Sequence, residues 1–470
     1  MPGKDITRAV RSSMPAGGAT GAPAIVSGDR RPPVAIVGAG IAGVTAAAFL
    51  HRRGVPVKLY EASGKIAGLA SSFKDAEGFT SDFGAHFITN RLAGAVGVAD
   101  RCRTVRHYGE AVLVRGKTYG YPVGLLANPR FVGSGIASRF GGTQPGTPGS
   151  VAQWFRSNYG RALADDVAIP LVEAWSGARA DDLAASVATD KLRNGALRSL
   201  WLKTAAIVTR RAVTNGYSHE MPESIKVWHV YPEGGVSILV ERLAAELQNS
   251  IALESPVEKI MVESGRAVAV RVRGRDEEVS AVVSTAPCHV LPRIVTGTHA
   301  VQHLARFRFR PMIFVNLRLR GRGLLPDTVL WTPEQQFRFF RLTETTISMP
   351  WLAPAGKSLL TVDIGCETTD PLWTASEENL TEMCLEQLRP IVPDVRQRFL
   401  GGSVLRTPIA YPVFLREYEE DRLRLKRSTG IAGLYSIGRN GEFAHILMED
   451  VYWGVRARMG QLMREVGIGA

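Results

Sequence analysis

The segment Arg30-Arg-Pro-Pro-Val-Ala-Ile-Val-Gly-Ala-Gly-Ile-Ala-Gly-Val-Thr-Ala-Ala-Ala-Phe-Leu50 constrains the fold more than any other part of the chain. Pro32 and Pro33 stop any helix, so Val34-Ala-Ile-Val37 reads as a short buried strand. Gly38, Gly40 and Gly43 then supply G-x-G-x-x-G, and Ala47 offers a small side chain where a helix must approach the strand. The spacing predicts a helix over 41–53, closed by Gly54, and a second apolar strand over 55–60. Glu61 stands at the end of that strand, about 20 residues beyond the glycines, where the dinucleotide-binding fingerprint places its ribose-binding acid.

The residue types suit that chemistry. Gly38 permits a tight turn, and Gly40 lets backbone approach a pyrophosphate. The helix start at Ile41, Ala42 and Gly43 presents unpaired N–H groups and positive potential to the anion. Glu61 can accept both hydrogen bonds of an adenosine ribose, and its charge would repel a 2′-phosphate. Two competing readings fare worse. The uncharged run is close to the roughly 17–25 residues of a spanning helix, but it would carry three glycines and strand the apolar segment that follows. A twin-arginine export address would need a cleavage region where a complete βαβ unit stands instead.

Composition limits the remaining options. At 470 residues the chain can bury a large core in more than one lobe, and 45% hydrophobic with 21% charged residues is ordinary for a soluble protein. A net charge of +13 suggests an anionic substrate, an acidic partner or lipid headgroups. Basic residues are dispersed and no recognition module is present, so nucleic acid is not expected as a partner. Cys102, Cys288, Cys366 and Cys384 lie far apart without a C-x-x-C pair, which argues against a disulfide framework or metal site and for a cytoplasmic protein. Residues 1–31, rich in Ala, Gly, Pro, Ser and Arg, are expected to be a disordered leader.

Downstream of Glu61, the run Ala62-Ser-Gly-Lys65-Ile-Ala67-Gly68-Leu69-Ala70-Ser-Ser72, then Gly78-Phe-Thr-Ser-Asp82-Phe-Gly84-Ala85-His86, resembles the second glycine-rich element of the flavin amine oxidase and protoporphyrinogen oxidase superfamily. Family members usually show Arg-x-Gly-Gly; Lys65 and Gly68 keep a basic side chain and one glycine, and Ala67 departs. Tyr231-Pro-Glu-Gly-Gly235, before a helical pattern over 237–247, looks like the family's return to its cofactor domain. The strand around Val257 resembles the one whose backbone binds adenine, and 281–287, with Thr285, resembles the strand and loop closing that side. The turn Gly438-Arg439-Asn-Gly441 precedes a helix beginning near Met448 and Glu449. In the family, such a turn lies against the cofactor's phosphate and ribityl portion, and the helix start faces the isoalloxazine. The resemblance therefore implies FAD, bound by the residues just named.

Within the superfamily the chain is most similar to bacterial protoporphyrinogen-oxidase-like and UDP-galactopyranose-mutase-like proteins. The likeness is carried by Arg308-Phe-Arg-Pro-Met-Ile-Phe-Val-Asn-Leu317, Phe339-Phe-Arg341-Leu-Thr-Glu344, Ala410-Tyr411-Pro412 and the Gly438 turn. It implies an α/β fold, with a discontinuous Rossmann-like FAD-binding domain over 32–108, 228–298 and 403–465. An inserted α+β substrate domain, an antiparallel sheet plus helices, would occupy 109–227 and 299–402. A Gly/Pro/Ser-rich loop over 129–150 could serve as a lid. Helical patterns follow over 151–159, 162–175 and 189–213, strands over 307–319, 337–343 and 359–364, and a helix over 377–389.

Candidate chemistry follows the same likeness. His86 aligns with a residue near the flavin, and Arg341, Glu344 and Tyr411 are pocket candidates. His445 is the one proton-active group in Ala444-His-Ile-Leu447, where mutase-like relatives carry basic and tyrosyl groups for a sugar-nucleotide diphosphate, so the pocket here reads as greasier. Many amine oxidases place a lysine near flavin N5; none occurs between Lys259 and Lys357, which disfavours ordinary amine oxidation. Arg306, Arg308 and Arg310 alternate as one strand face would, facing either an anion or solvent. The stretch 192–211 could lie on anionic lipid, although a packed helix with solvated arginines is the favoured reading. The leading expectation is an FAD-dependent dehydrogenase or oxidase that passes a hydride from a small, anionic or partly apolar metabolite to flavin N5. A redox-neutral isomerase or mutase acting on a sugar nucleotide or polyene, and a binding module without turnover, are the alternatives.

Overall fold

A computed structural model of the chain describes residues 31–84, 86–140, 149–189 and 196–465. The expected leader up to residue 30, Ala85, the later part of the 129–150 loop and the start of the 189–213 pattern lie outside those residues.

Val34–Val37 forms the central strand of a five-stranded sheet in which every neighbour is parallel. Its order is Ile251–Ala252, Val57–Tyr60, Val34–Val37, Ala281–Ser284, Leu434–Ser436. Four adjacent fully buried residues, Val-Ala-Ile-Val, are what a parallel strand covered on both faces requires. The helix Ile41–His51 packs over it with the C-terminal helix Met448–Glu465 and the helix Ser237–Ala244, joined by Ile36, Val44, Leu50, Leu239 and Met459 in one core.

The second large sheet has seven strands in the order Phe399–Pro412, Phe309–Arg320, Lys357–Gly365, Arg341–Glu344, Val329–Trp331, Glu110–Val114, Lys117–Tyr121. All neighbours are antiparallel except Val329–Trp331 with Glu110–Val114. One face carries Ile313, Val315, Leu330, Leu342, Val362 and Ile364 against the helix Glu377–Leu388. The domain boundary expected at 403 falls inside a strand, because pairing with Phe309–Arg320 runs from Phe399 through Pro412.

Three other expectations are corrected. Residues Pro129–Phe140 are a helix rather than a lid loop: Pro129 is suited to a first helical turn, and Phe131 is buried against neighbouring helices. The pattern over 162–175 is not one α-helix but passes through a π-turn, Ala164–Ala168, before Ile169–Ser176. Pro170, lacking an N–H, cannot complete a regular ladder there. Of 337–343, only the end from Arg341 pairs as a strand.

A small sheet, Ile88–Thr89, His229–Pro232 and Cys102–Thr104, joins the core of the parallel sheet through Ile88, Val230 and Tyr231. There His229 sits among Phe87, Tyr108 and Tyr217, with ring centroids 5.4, 6.0 and 4.8 Å away. Burial pushes its imidazole down to about 4, opposed by a hydrogen bond with the Ile88 backbone and by Glu223. The unfolded chain therefore binds one more proton between about pH 6.5 and 4, and stability falls as pH drops through that window. The loss amounts to about 3 kcal/mol. His229→Phe should flatten this part of the profile, measured as urea midpoints at about pH 7.5 and about pH 4.5; an equal acid loss in both proteins would refute the assignment.

Candidate functional site

The cradle is built at the carboxyl edge of the parallel sheet. A Cβ at Gly43 would stand 1.8 Å from the Gly38 carbonyl oxygen, so only glycine lets the helix start press onto the strand exit. That helix has Gly40 as its N-cap, no side-chain cap and no acid in its first turn, which leaves its N–H groups and positive potential for an anion. The Glu61 carboxylate is held in place from one side: Oε2 accepts from the Ala39 N–H at 2.7 Å, and Oε1 from the Ser63 N–H and Oγ at 2.9 and 2.8 Å. Thr285 closes the other side, its Oγ1 donating to the Val37 carbonyl at 2.8 Å. Val257 is buried at the start of its strand, two residues beyond Ser255, whose N–H donates to the Glu61 carbonyl.

The loop after Glu61 approaches closely despite Ala67. Ala67 adopts φ 88°, donates its N–H to the Ala39 carbonyl at 2.9 Å and bridges to Gly40. Gly68, Leu69 and Ala70 follow as a short 3-10 turn, with Ala70 buried and Ala62 exposed. The Lys65 ammonium lies over the Phe73 ring, 4.5 Å from its centroid, so its charge rests on an aromatic face. At the far end of the chain, a Cβ at Gly438 would come within 2.6 Å of the Ala42 methyl, so the last glycine turn rests on the first helix. Met448 opens the C-terminal helix. The Glu449 carboxylate accepts through Oε1 from Arg91 Nε at 2.7 Å and Trp453 Nε1 at 3.3 Å, while its buried Oε2 has no partner among the described residues.

Facing this cradle is the polar side of the seven-stranded sheet. Trp331, Arg341 and Asp363 stand side by side across three strands. Arg341 makes a forked contact to Asp363 Oδ2, with Nε at 2.8 Å, while Asp363 Oδ1 has no partner among the described residues. Burial works against the Arg341 cation, but Asp363, then Tyr411 and Tyr108, override it and hold the pKa above its usual value. Burial pushes the Asp363 carboxyl up, with Arg341 and His86 opposing. Glu110 accepts from Trp331 Nε1 at 2.8 Å and from the Tyr108 hydroxyl. A Cβ at Gly84 would meet Arg341 Nη2 at 3.1 Å, which places Gly84 directly on this row. His86 Nδ1 stands 3.7 Å from Asp82 Oδ2, itself bonded to Tyr231.

The Tyr411 and His445 rings lie 5.4 Å apart, and Trp175 joins both, stacked on His445 at 5.6 Å and 26°. Arg439 caps this trio, 5.2 Å over the Tyr411 ring. It donates from Nη2 to the Ala410 carbonyl at 3.0 Å and from Nη1 to the Ile446 carbonyl at 3.2 Å. Its Nε is buried without a partner among the described residues, and burial lowers its pKa, Tyr411 opposing and Arg341 reinforcing. Arg341 and Arg439 each lie within electrostatic reach of Tyr411, which sets the two clusters next to each other.

The structure thus gathers four sequence candidates, Arg341, Tyr411, Arg439 and His445, with His86 reaching the group through Asp363. It removes Glu344, whose carboxylate accepts from the Gly323, Leu324 and Leu325 N–H groups and Ser358 Oγ on the opposite side of the strand. Arg306 is taken by Asp421, and Arg308 and Arg310 by Glu367, so the expected anion face is already met by carboxylates of the chain. Sequence reasoning missed Trp175 and Asp363. Trp175 sat unremarked in a helical pattern, but Asp363, an acid inside the apolar run Leu359-Leu-Thr-Val-Asp-Ile364, was a signal available to be read.

Comparison with known proteins bears on the family and the fold. The family described as flavin containing amine oxidoreductase matches residues 41–452. Protoporphyrinogen oxidase 2, chloroplastic/mitochondrial, of Arabidopsis thaliana is 25% identical over 421 residues, covering 78% of this chain and 81% of that one. A reduced UDP-galactopyranose mutase superposes with a TM-score of 0.75 at 17% identity, over 92% of this chain and 94% of the other. Cyclohexylamine oxidase from Brevibacterium oxydans IH-35A gives 0.68 at 17% identity, over 92% and 100%.

The cradle makes a direct prediction. Gly43→Ala should purify folded but colourless, with flavin affinity at least about 100-fold weaker, because the clash is with backbone. Titration with free FAD checks this, and full occupancy would refute the cradle.

Proposed function

The chain belongs to the flavin containing amine oxidoreductase family, and from that premise we propose that it dehydrogenates a small metabolite that is partly apolar and carries an anionic group. The residues present fit FAD: a helix start with free N–H groups, a pre-oriented Glu61 carboxylate, and a Gly438 turn that would clash if any side chain were added. When bound, FAD supplies the two-electron acceptor.

The chain's own residues supply the rest. One observation carries the reading: the rings of Trp175, Tyr411 and His445 pack on one another, and Arg439, lying over the Tyr411 ring, has a buried Nε with no partner among the described residues. Rings exclude water and offer flat apolar surface to a substrate body. Arg439 offers its Nε to an anionic group, and occupation by an anion would offset its desolvation. Arg341, locked by Asp363, is a fixed donor rather than a mobile one. Dehydrogenation removes a hydride, which passes to the acceptor, from one substrate C–H bond and a proton from the neighbouring atom; His445, held between two rings, is positioned to accept the proton.

Anaerobic mixing of the flavin-loaded protein with small carboxylates bearing a flat apolar body tests the reading. Loss of the visible flavin absorption supports it. Turnover seen only after chemical reduction of the protein would instead favour a redox-neutral isomerase. His445→Gln should slow flavin reduction by about 100-fold with flavin content unchanged. Arg439→Met should raise KM for carboxylate substrates more than it lowers kcat; the reverse split would move Arg439 to cofactor support.

A further inference from the structure

The chain's basic residues are spread widely, but its acidic residues are absent from two long stretches. Residues 111–164 contain six Lys or Arg and no Asp or Glu, and residues 191–219 again contain six and none. Together they hold twelve of the thirteen net positive charges.

The same stretches expose most of the large apolar side chains left uncovered. Among the described residues nine large hydrophobics are exposed, and Tyr121, Val123, Leu126, Ile136, Trp201 and Val208 are six of them. The two stretches meet: Lys203 Nζ, on the helix Ala196–Thr209, donates to the Tyr121 carbonyl at 3.4 Å. The turn Val123–Ala127 and the helix Pro129–Phe140 follow directly after Tyr121. Each piece is anchored by an inward residue, Leu125, Phe131 and Leu202, while its neighbours point out. Trp201 and Val208 are 57% and 77% exposed, so the helix has a packed side and an uncovered apolar side. Asp165 and Asp166 meet Arg115, Arg130 and Arg156. Lys117, Lys203, Arg210 and Arg211 have no carboxylate at ion-pair distance among the described residues.

We propose that this face docks on an anionic lipid bilayer, with Leu126, Ile136, Trp201 and Val208 entering the headgroup boundary and the surrounding lysines and arginines meeting lipid phosphates. Exposed apolar side chains beside Lys117, Lys203, Arg210 and Arg211, which have no carboxylate at ion-pair distance among the described residues, match that surface, where apolar burial and headgroup attraction act together. Among the described residues no helix is long and apolar enough to cross a membrane, so the contact is one of lying on the surface. Neither a disordered polyanion nor an acidic protein would explain the outward tryptophan and valine as well as the charge.

The test uses the full-length, flavin-loaded protein in flotation with vesicles of phosphatidylcholine alone, or with about one phosphatidylglycerol in three lipids. Binding should appear only with the anionic lipid and fall steeply as salt rises from about 0.1 M to about 0.5 M. Trp201→Ser combined with Val208→Ser should weaken it at least about tenfold. Lys117→Gln or Arg210→Gln should weaken it about fivefold each. Circular dichroism and flavin content, unchanged in each variant, separate lost docking from lost folding. Absence of binding at low salt would overturn the proposal. So would equal retention on immobilised heparin with no response to the Trp201/Val208 change, which would mark the face as a site for an acidic macromolecule.

Discussion

The first helix can begin where it does only because position 43 has no side chain. A Cβ there would stand 1.8 Å from the Gly38 carbonyl, and that contact presses the helix start onto the exit of the first strand. Because all five strands of that sheet run parallel, their following loops leave from the same edge. Glu61, Thr285 and the Gly438 turn reach the first helix without needing long excursions. Ala67 shows how strongly this geometry is imposed. It holds a backbone conformation usually reserved for glycine, at a cost of roughly 1–2 kcal/mol, rather than leave Gly40.

The second sheet solves a different problem. Alternation along its strands puts Leu330, Leu342 and Val362 into an apolar core, and Trp331, Arg341 and Asp363 onto the facing side. A buried Arg–Asp pair is no cheap source of stability, since apolar replacements of similar volume often do as well, but removing one partner costs about 3–5 kcal/mol. Its value lies in fixing a charged donor beside Gly84 and the aromatic trio. Arg439 sits nearby under the opposite condition, buried with carbonyl partners and without an acid. One arginine is satisfied by the fold and the other is left with capacity for a ligand.

Much of this was legible in the sequence, and the failures have physical causes. Gly38, Gly43 and Glu61 could be read because their spacing reports backbone sterics and hydrogen bonding within one βαβ unit. Tyr411, His445 and Arg439 were identified one by one, but their convergence depends on Trp175, which is brought to them by tertiary packing no local pattern encodes. Pro129–Phe140 was misread because glycine and serine suggest a loop, whereas Phe131 and its packing against other helices decide the outcome. Glu344 misled for the opposite reason: it is charged and near the site in sequence, yet a strand turns neighbouring residues to opposite sides, and its carboxylate serves three backbone N–H groups.

The order of the five parallel strands has a consequence for how the molecule is made. Its outer strand, Leu434–Ser436, pairs with Ala281–Ser284 and follows the central strand Val34–Val37 only after a very long stretch of intervening chain. A ribosome must therefore deliver the chain through residue 438 before the glycine turn that rests on Ala42 exists. Until then the opening βαβ unit waits with its neighbours missing, and such long-range pairing is slow and prone to aggregation. The cradle is therefore complete only once residue 438 has been made, and a nascent chain stalled short of it would lack the turn that rests on Ala42.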